Sequence, residues 1–227
     1  MVRGTMAEGT QARIKQLILR DGLAPGDPLP PESELVRLLD VSRNSVREAL
    51  KALQAVSIVE VRHGYGTYVG PLTLEPFVEG VAFRAAVAHR HGQPGLYELM
   101  EVREALEAGL IPAVARSLPA QDLAALKDLV RQMAREAQGG QVQSGTDRAF
   151  HQALYRSLGN VLLVEVLDAF WVALRQVREH CADGSQDPQE TARQHQAIVE
   201  ALEAGDGDRA VAAMHRHFDG IRRRLAE

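Results

Sequence analysis

Aromatic side chains and cysteines are both scarce in this sequence. Phe, Trp and Tyr together make up 4% of its 227 residues. The core must therefore consist mostly of Leu, Val, Ile and Ala, which favours helices packed on helices. Cys181 is the single cysteine, so an intrachain disulfide is excluded and a reducing cytosol is compatible with the chain.

Long apolar runs are missing as well. No stretch approaches the roughly 20 apolar residues that a membrane-spanning helix needs. The opening MVRGTMAEGTQAR has no apolar segment of the kind found in signal peptides. We therefore expect a cytoplasmic protein without a membrane partner.

Neither sign of charge dominates the chain. The formal net charge is −4, charged residues make up 25%, and the first seventy residues are nearly neutral. A nucleic-acid-binding protein of this composition would depend on the local placement of a few arginines rather than on bulk charge.

Residues 41–53, VSRNSVREALKAL, predict a helix with a polar N-terminal end and an apolar back. Its apolar residues recur at helical spacing, namely Val46, Ala49, Leu50 and Leu53. Its first turns, with Ser42 as the candidate N-cap, suit insertion into a DNA major groove through Ser42, Arg43, Asn44, Ser45 and Arg47. Taken alone, the stretch is better explained as an ordinary amphipathic helix whose polar side is solvated.

The flanking sequence favours DNA binding. Helices are predicted over residues 11–20 and 32–39, and the short connection at Asp40 makes the second of them and the next helix a helix-turn-helix. Alternating residues 58–62 and 67–69 predict two strands joined by a glycine-containing turn. A helix-turn-helix followed by a hairpin is a winged helix. Its tip would place Arg62 and His63 near a minor groove or phosphates, although a solvated loop is the alternative.

Three motifs in order, PGDPLPPESEL, VSRNSVREALKAL and HGYGTYV, make residues 11–70 resemble the DNA-binding domain of the GntR family of bacterial transcription regulators. The resemblance implies that Arg43 and Arg47 read the operator and that His63 and Gly64 enter the minor groove. Many members carry arginine where this chain has Ser33, so a phosphate contact there would be weaker. A glycine is usual at the position of Ser57.

Beyond the wing, the pattern is helical. We expect a mainly α protein, with a winged helix-turn-helix over residues 1–70 and a proline-containing linker over 71–76. Residues 77–227 are expected to form an all-α antiparallel bundle.

Four residues of the second part could hold a divalent transition metal. Asp147 and His151 are four residues apart on one predicted helix and share a face, whereas His195 and His217 lie on two later helices. Three imidazoles and a carboxylate suit zinc, nickel or manganese. Spacing alone also fits unrelated polar residues, because nothing in it brings the last two histidines to Asp147.

The second part also resembles the FCD ligand-binding domain of the FadR subfamily, through LYELMEVREALEAGL, the pair Asp147 and His151, and HQAIVEALEAGDGDRAVAAMHRHF. In metal-binding FCD domains the four corresponding positions ligate a metal, which implies a metal site here. A small organic acid could occupy its open coordination positions and pair with an arginine. Arg103 is the candidate, and the alternative for it is an ion pair with Glu107 on a solvated face.

These features predict a transcription regulator, a repressor in the family's usual sense, located in the bacterial cytosol and associated with the nucleoid. A homodimer would bind an operator built as an inverted repeat, because one recognition helix reads one half-site. Two alternatives remain open. One is a metal-dependent, hydrolase-like enzyme, which would need a second catalytic group that no motif supplies. The other is a regulator whose metal is purely structural.

Overall fold

The protein consists of two compact units, Met1–Phe77 and Val78–Glu227. The structure, a computed structural model, describes residues 6–178 and 187–225. Cys181 and the predicted end of a long helix near residue 182 lie outside the described residues.

Three helices and a hairpin build the first unit. They are α1 (Met6–Arg20), α2 (Glu32–Leu39), α3 (Arg43–Ala55), β1 (Val59–Arg62) and β2 (Gly66–Val69). The winged helix-turn-helix prediction is confirmed, but α1 begins five residues before the predicted start. The added turn carries Thr10, which is 1% exposed, so burial as well as propensity extends the helix.

The apolar stripe of α3 lies in the core of this unit. Val46, Ala49, Leu50 and Leu53 are all buried and join a cluster that also contains Ile14, Leu17, Leu35, Leu39, Val59 and Val69. Ser42 caps the helix, since its side-chain oxygen accepts from the Ser45 backbone N–H at 3.1 Å. The capped N-terminal turn is therefore left at the surface while the opposite face is held in the core.

The two strands pair antiparallel, with Val59 opposite Val69 and Arg62 opposite Gly66. Between them the chain turns through Gly64 and Gly66, whose φ angles of 81° and 110° lie in the region that glycine enters without a steric cost. Register and turn together define the wing, whose tip carries residues 63–65.

Ser57 stands where the family usually has glycine and adopts a left-handed φ of 59°. The Leu72 backbone N–H donates to the Ser57 carbonyl at 3.0 Å. Gly70 passes so close that a Cβ on it would lie 2.5 Å from the same carbonyl oxygen. The base of the wing is therefore a close backbone crossing that a side chain at residue 70 would disrupt.

Seven helices account for the rest of the described chain. They are α4 (Glu75–Arg90), α5 (Gly95–Ser117), α6 (Ala120–Gln138), α7 (Ser144–Arg156), α8 (Val161–Arg178), α9 (Pro188–Glu203) and α10 (Gly207–Leu225). The helical-bundle prediction is confirmed. Within the described residues no helix is both long and apolar enough to cross a membrane.

Helix α5 is central to the second unit, since it contacts α7, α8, α9 and α10. Its buried positions include apolar residues such as Met100 and Ile111, but also three charged ones, Arg103, Glu104 and Glu107. Burying charges is unfavourable unless they are paired. The centre of the bundle is therefore polar, and the positions of these groups define the site.

We expect Gly70→Ala to destabilise the winged-helix unit by about 1–3 kcal/mol, because the new methyl group meets a backbone carbonyl that cannot rotate away. Gly9→Ala is the matched control, since a Cβ on Gly9 meets nothing within 4 Å; it should stabilise α1 by about 0.5–1 kcal/mol. Calorimetry of the full chain measures both. Equal stabilisation by the two substitutions would contradict the crowding at Gly70.

Candidate metal centre and nucleic-acid interface

Three histidines from three helices meet inside the second unit. His151 comes from α7, His195 from α9 and His217 from α10, and all three are buried. Their ring centroids are 5.5 Å apart for His151 and His195, 5.3 Å for His151 and His217, and 4.5 Å for His195 and His217. Folding thus brings together residues that sequence spacing could not connect.

Asp147 adds a carboxylate to this cluster. Its Oδ1 lies 3.0 Å from His195 Nε2 and 3.9 Å from His151 Nε2, as expected for a residue that shares one face of α7 with His151 and approaches α9. All four residues predicted as ligands are therefore found at one place.

Each of the three imidazoles carries a buried nitrogen without a well-directed hydrogen bond, although Asp147 Oδ1 lies 3.0 Å from one of them, His195 Nε2. These atoms are His151 Nε2, His195 Nε2 and His217 Nδ1, and one ligand atom from each ring lies within 4.8 Å of the others. A buried polar atom without a partner costs about 1–3 kcal/mol, so three converging ones need an explanation. Lone pairs directed at a shared metal ion supply it, and the residues fit a transition metal.

The opposite ring nitrogens fix the tautomers. His195 Nδ1 lies 2.8 Å from the Thr191 carbonyl oxygen. Because a carbonyl only accepts, Nδ1 donates, and in the neutral ring Nε2 keeps its lone pair. His151 Nδ1 lies 2.6 Å from Glu107 Oε2, and an ionised carboxylate has the same effect. Such outer partners orient metal-binding histidines and raise their basicity.

The sequence suggested Glu107 as a surface partner of Arg103 and missed its contact with His151. The second oxygen of Glu107 accepts from Arg103 Nε at 2.5 Å, and both side chains are almost completely buried. The ion pair expected as the alternative for Arg103 exists, but the expectation of a solvated face was wrong. A charged pair at i, i+4 spacing is a common surface pattern, so only burial distinguishes this one.

The charges at the centre are set by their neighbours. Burial opposes ionisation of Glu107, but Arg103 and His151 outweigh it and lower the pKa of the carboxyl from 4.5 to about 2. Burial likewise opposes ionisation of Asp147, whereas its contacts with His195 and His151 and the charge of Arg103 hold its pKa well below the usual value. Burial and the other two histidines lower the pKa of His217 well below its usual value. Carboxylates are thus ionised and His217 is neutral, which is the state in which these groups bind metals.

Arg103 also has an unused donor. Its terminal NH2 nitrogen is buried and lacks a hydrogen-bond partner, while the guanidinium lies 5.4 Å from the centre of the Phe218 ring. A buried guanidinium with one free N–H edge can receive an anion. The effector role predicted for Arg103 needs a donor of this kind.

In the first unit, the residues predicted to contact DNA lie at the surface. All but Ser45, which is half-buried, are exposed: Ser33, Ser42, Arg43, Asn44, Arg47, Arg62, His63 and Gly64. Two of the arginines are held by acids, since Arg47 Nε donates to Glu32 Oε2 and Arg62 to Glu60 Oε2, each at 2.9 Å.

At the tip of the wing, Tyr65 is 82% exposed and was not predicted as a contact residue. Arg62, by contrast, stacks on the Tyr68 ring at 4.2 Å in addition to its ion pair. Tyr65 is therefore freer than Arg62 to contact DNA. The glycines on either side of it, which predicted the turn, were the only sign in the sequence that it would be exposed.

Each of the two units matches the model of a known protein family. The model of the bacterial regulatory proteins of the gntR family matches residues 6–69, and that of the FCD domain matches residues 98–220. The Uxu operon transcriptional regulator of Escherichia coli is 31% identical over 226 residues, which cover 95% of this chain and 85% of that protein.

The chain belongs to the GntR family of bacterial regulatory proteins.

Other GntR-family relatives are similar over most of their length. The HTH-type transcriptional regulator LutR of Bacillus subtilis is 30% identical and covers 90% of this chain and 94% of its own. The galactonate operon transcriptional repressor of E. coli is 26% identical, with 92% of each chain covered. The solved structure of Streptococcus agalactiae GntR has a TM-score of 0.69 and 26% identity, and covers 96% of this chain and 99% of that one.

Membership of the GntR family makes this chain a DNA-binding transcription regulator with an effector-binding FCD domain. The names of the relatives speak against the hydrolase-like enzyme that the sequence left open. Within the FCD domain, the three histidines form a possible metal site.

We expect Glu107→Gln to lower the free energy of unfolding of the metal-free regulator by on the order of 3 kcal/mol at pH 7, since it leaves Arg103 buried without a charged partner. Because the folded-state pKa of Glu107 is lowered to about 2 from 4.5, its contribution is complete above about pH 4.5. It declines as the pH falls towards 2.

Urea unfolding at pH 7 and pH 3 measures this difference between variant and parent, which should shrink at pH 3. The control is Glu101→Gln, an exposed position on the same helix, where a change within about 0.5 kcal/mol is expected. A difference for Glu107→Gln that stayed constant with pH would show that its charge does not stabilise the fold.

Proposed function

We propose that this regulator represses its target genes by binding an inverted-repeat operator as a homodimer, and that a small organic acid bound beside a metal ion modulates that binding. The observation that carries the proposal is the buried cluster of three unpartnered imidazole nitrogens next to a guanidinium with a free donor. We propose the winged helix, residues 1–70, as the DNA-binding part, residues 71–76 as the linker and residues 77–227 as the sensing and dimerising part, in a protein of the cytosol that acts at the nucleoid.

Zinc, nickel or manganese would be held by Asp147, His151, His195 and His217. Such an ion provides Lewis acidity and open coordination positions for an oxygen ligand. The protein's own part is to present the ligands: Glu107 and the Thr191 carbonyl orient two of the rings. The proposed role of the centre is binding rather than catalysis.

A carboxylate is the effector group that this site favours. A carboxylate would suit both the open coordination positions of such an ion and the free Arg103 nitrogen, and charge-assisted bonds to a guanidinium are stronger than neutral ones. The galactonate operon repressor of E. coli is named after the operon of a sugar acid, which supports an organic acid here and repression as the mode of action.

For effector binding to alter DNA binding, the acid must bind the DNA-competent and DNA-incompetent arrangements with different affinities. The polar centre on α5 and its contacts with α7, α9 and α10 offer a means, because a ligand at the cluster touches residues from several helices. Elements that pack as closely as these shift between discrete arrangements rather than deform gradually.

In the winged unit, we propose that the N-terminal end of α3 enters the major groove, where Ser42, Arg43, Asn44, Ser45 and Arg47 contact bases or phosphates. Arg62, His63 and Gly64 of the wing, with Ser33 as a weaker phosphate contact, would complete the interface. Each recognition helix reads one half-site, which is why a homodimer and an inverted repeat are proposed together.

Glu32 contacts the arginine that we propose to read DNA. The carboxylate accepts from Arg47 Nε at 2.9 Å, which leaves the two terminal nitrogens of the guanidinium free to bind a guanine edge end-on. Exposed pairs of this kind contribute little to stability, so we propose that Glu32 serves to orient the arginine.

Arg47→Ala should weaken binding to an operator, selected from a random DNA library, by about 1–3 kcal/mol, or roughly 5- to 150-fold, while the helical bundle stays folded. Lys51→Ala removes the same charge from the same helix, one turn further from its N-terminal end, and should leave sequence preference unchanged. Fluorescence anisotropy at fixed salt measures both. Unaltered operator affinity in Arg47→Ala would show that α3 does not read DNA through this residue.

Glu32→Ala tests the orienting contact by the sign of its effect. An acid that merely lies near DNA repels phosphates, so its removal should tighten binding to every sequence. If Glu32 orients Arg47, its removal weakens operator binding instead, and this weakening is absent when Arg47 is already alanine. Glu34→Ala, which removes the neighbouring acid paired with Arg37, is the control expected to follow the repulsion pattern.

His217→Ala should lower the metal content of the purified protein, measured by elemental analysis, and remove the stabilisation by the effector. At an effector concentration of about 100 Kd that stabilisation is about 2.7 kcal/mol in the parent. His215→Ala is the control, because His215 lies on the same helix but points to Glu104. Loss of metal with effector binding intact would favour a purely structural ion, and full metal occupancy in His217→Ala would remove it from the ligand set.

A further inference from the structure

The indole of Trp171 contacts the candidate metal centre from outside the ligand cluster. Trp171 lies on α8, is the single tryptophan of the chain and is 8% exposed. Its Nε1–H donates to Asp147 Oδ2 at 2.9 Å. Burial in the core agrees with an apolar filling role for this side chain, but burial alone does not account for its partner.

The two oxygens of Asp147 have separate surroundings. Oδ1 is the oxygen near His195 Nε2 and His151 Nε2, whereas Oδ2 accepts from the indole. A free carboxylate can bind a metal through one oxygen or both. With Oδ2 held by Trp171, Oδ1 is the oxygen that faces the imidazole nitrogens of His195 and His151.

The indole is itself held in place. Arg148 and Arg175 lie over its ring at 5.6 and 6.0 Å from the centroid, within the range of cation–π attraction. Arg148 also makes two bonds of 2.6 Å to Asp168, which ties α7 to α8. A rotation of Trp171 away from Asp147 would have to disturb these contacts.

We propose that Trp171 is a positioning residue of the metal centre: its indole N–H holds the Asp147 carboxylate so that one oxygen, Oδ1, is presented to the ion. The inference rests on the proposed metal site. Without this bond the carboxylate can rotate about its bond to Cβ. The ion would then have to fix its orientation on binding, which lowers the affinity. Partners of this kind typically change metal affinity about 10- to 100-fold.

The first test removes the indole N–H and keeps an aromatic ring at the position. Trp171→Phe should raise the dissociation constant for Zn²⁺ about 10- to 100-fold, measured by competition with a chromophoric chelator. Tyr155→Phe is the matched control: it also removes one buried donor from an aromatic side chain, but that donor binds the Glu107 backbone carbonyl at 3.1 Å and no ligand. It should leave the Zn²⁺ constant unchanged.

A second replacement removes the donor without changing the shape. Because the chain has one tryptophan, growth on benzothienylalanine, in which sulfur stands in place of the indole N–H, alters this position alone. The helix content should stay that of the parent, as measured by circular dichroism, while Zn²⁺ binding weakens as in Trp171→Phe. Unchanged Zn²⁺ affinity with the isostere would overturn the proposal, even if Trp171→Phe folds poorly.

A double-mutant cycle separates this inference from the metal site on which it depends. Asp147→Ala should weaken Zn²⁺ binding, and adding Trp171→Phe to it should have no further effect, because the indole acts through that carboxylate. Additive effects would show that Trp171 acts by another route and would overturn the inference. If neither Asp147→Ala nor His195→Ala changes the Zn²⁺ affinity, the proposed metal site itself is wrong.

Discussion

The second unit depends on one buried carboxylate. Glu107 accepts from Arg103 with one oxygen and contacts His151 with the other, so a cation and a candidate ligand are both held by a group on the central helix. An isolated buried charge would be strongly unfavourable, whereas a paired and hydrogen-bonded one is tolerated. This arrangement allows a charged centre to exist in a core otherwise made largely of aliphatic side chains.

Around that carboxylate, three of the candidate ligands have a second contact that directs them. The Thr191 carbonyl orients His195, Glu107 orients His151 and the Trp171 indole holds Asp147. The directing groups come from α5, α8 and α9, so the geometry of the site reflects the packing of the bundle. A ligand that alters the site is thereby linked to helix positions, which is the physical requirement for an effector-responsive regulator.

Most features of the first unit could be predicted from the sequence. The apolar stripe of α3 predicted its buried face, and Ser42 predicted its cap. Turn residues predicted the wing, and the motifs of residues 11–70 identified the family. The ion pair between Arg47 and Glu32 was not foreseen, because it joins residues of two helices that are fifteen positions apart and leaves no periodic signal.

The helices, the hairpin and the family could be predicted from the order of the amino acids, because these features depend on local periodicity, turn chemistry and motifs that are contiguous in the chain. Residue chemistry and spacing nominated four candidate ligands, and the resemblance to FCD domains implied that they form one site. Only the folded structure shows that those four lie together, that Arg103 and Glu107 are buried rather than solvated, and that the Trp171 indole donates to Asp147. These facts depend on how separate helices pack, and spacing along one chain does not specify the distance between residues on different helices.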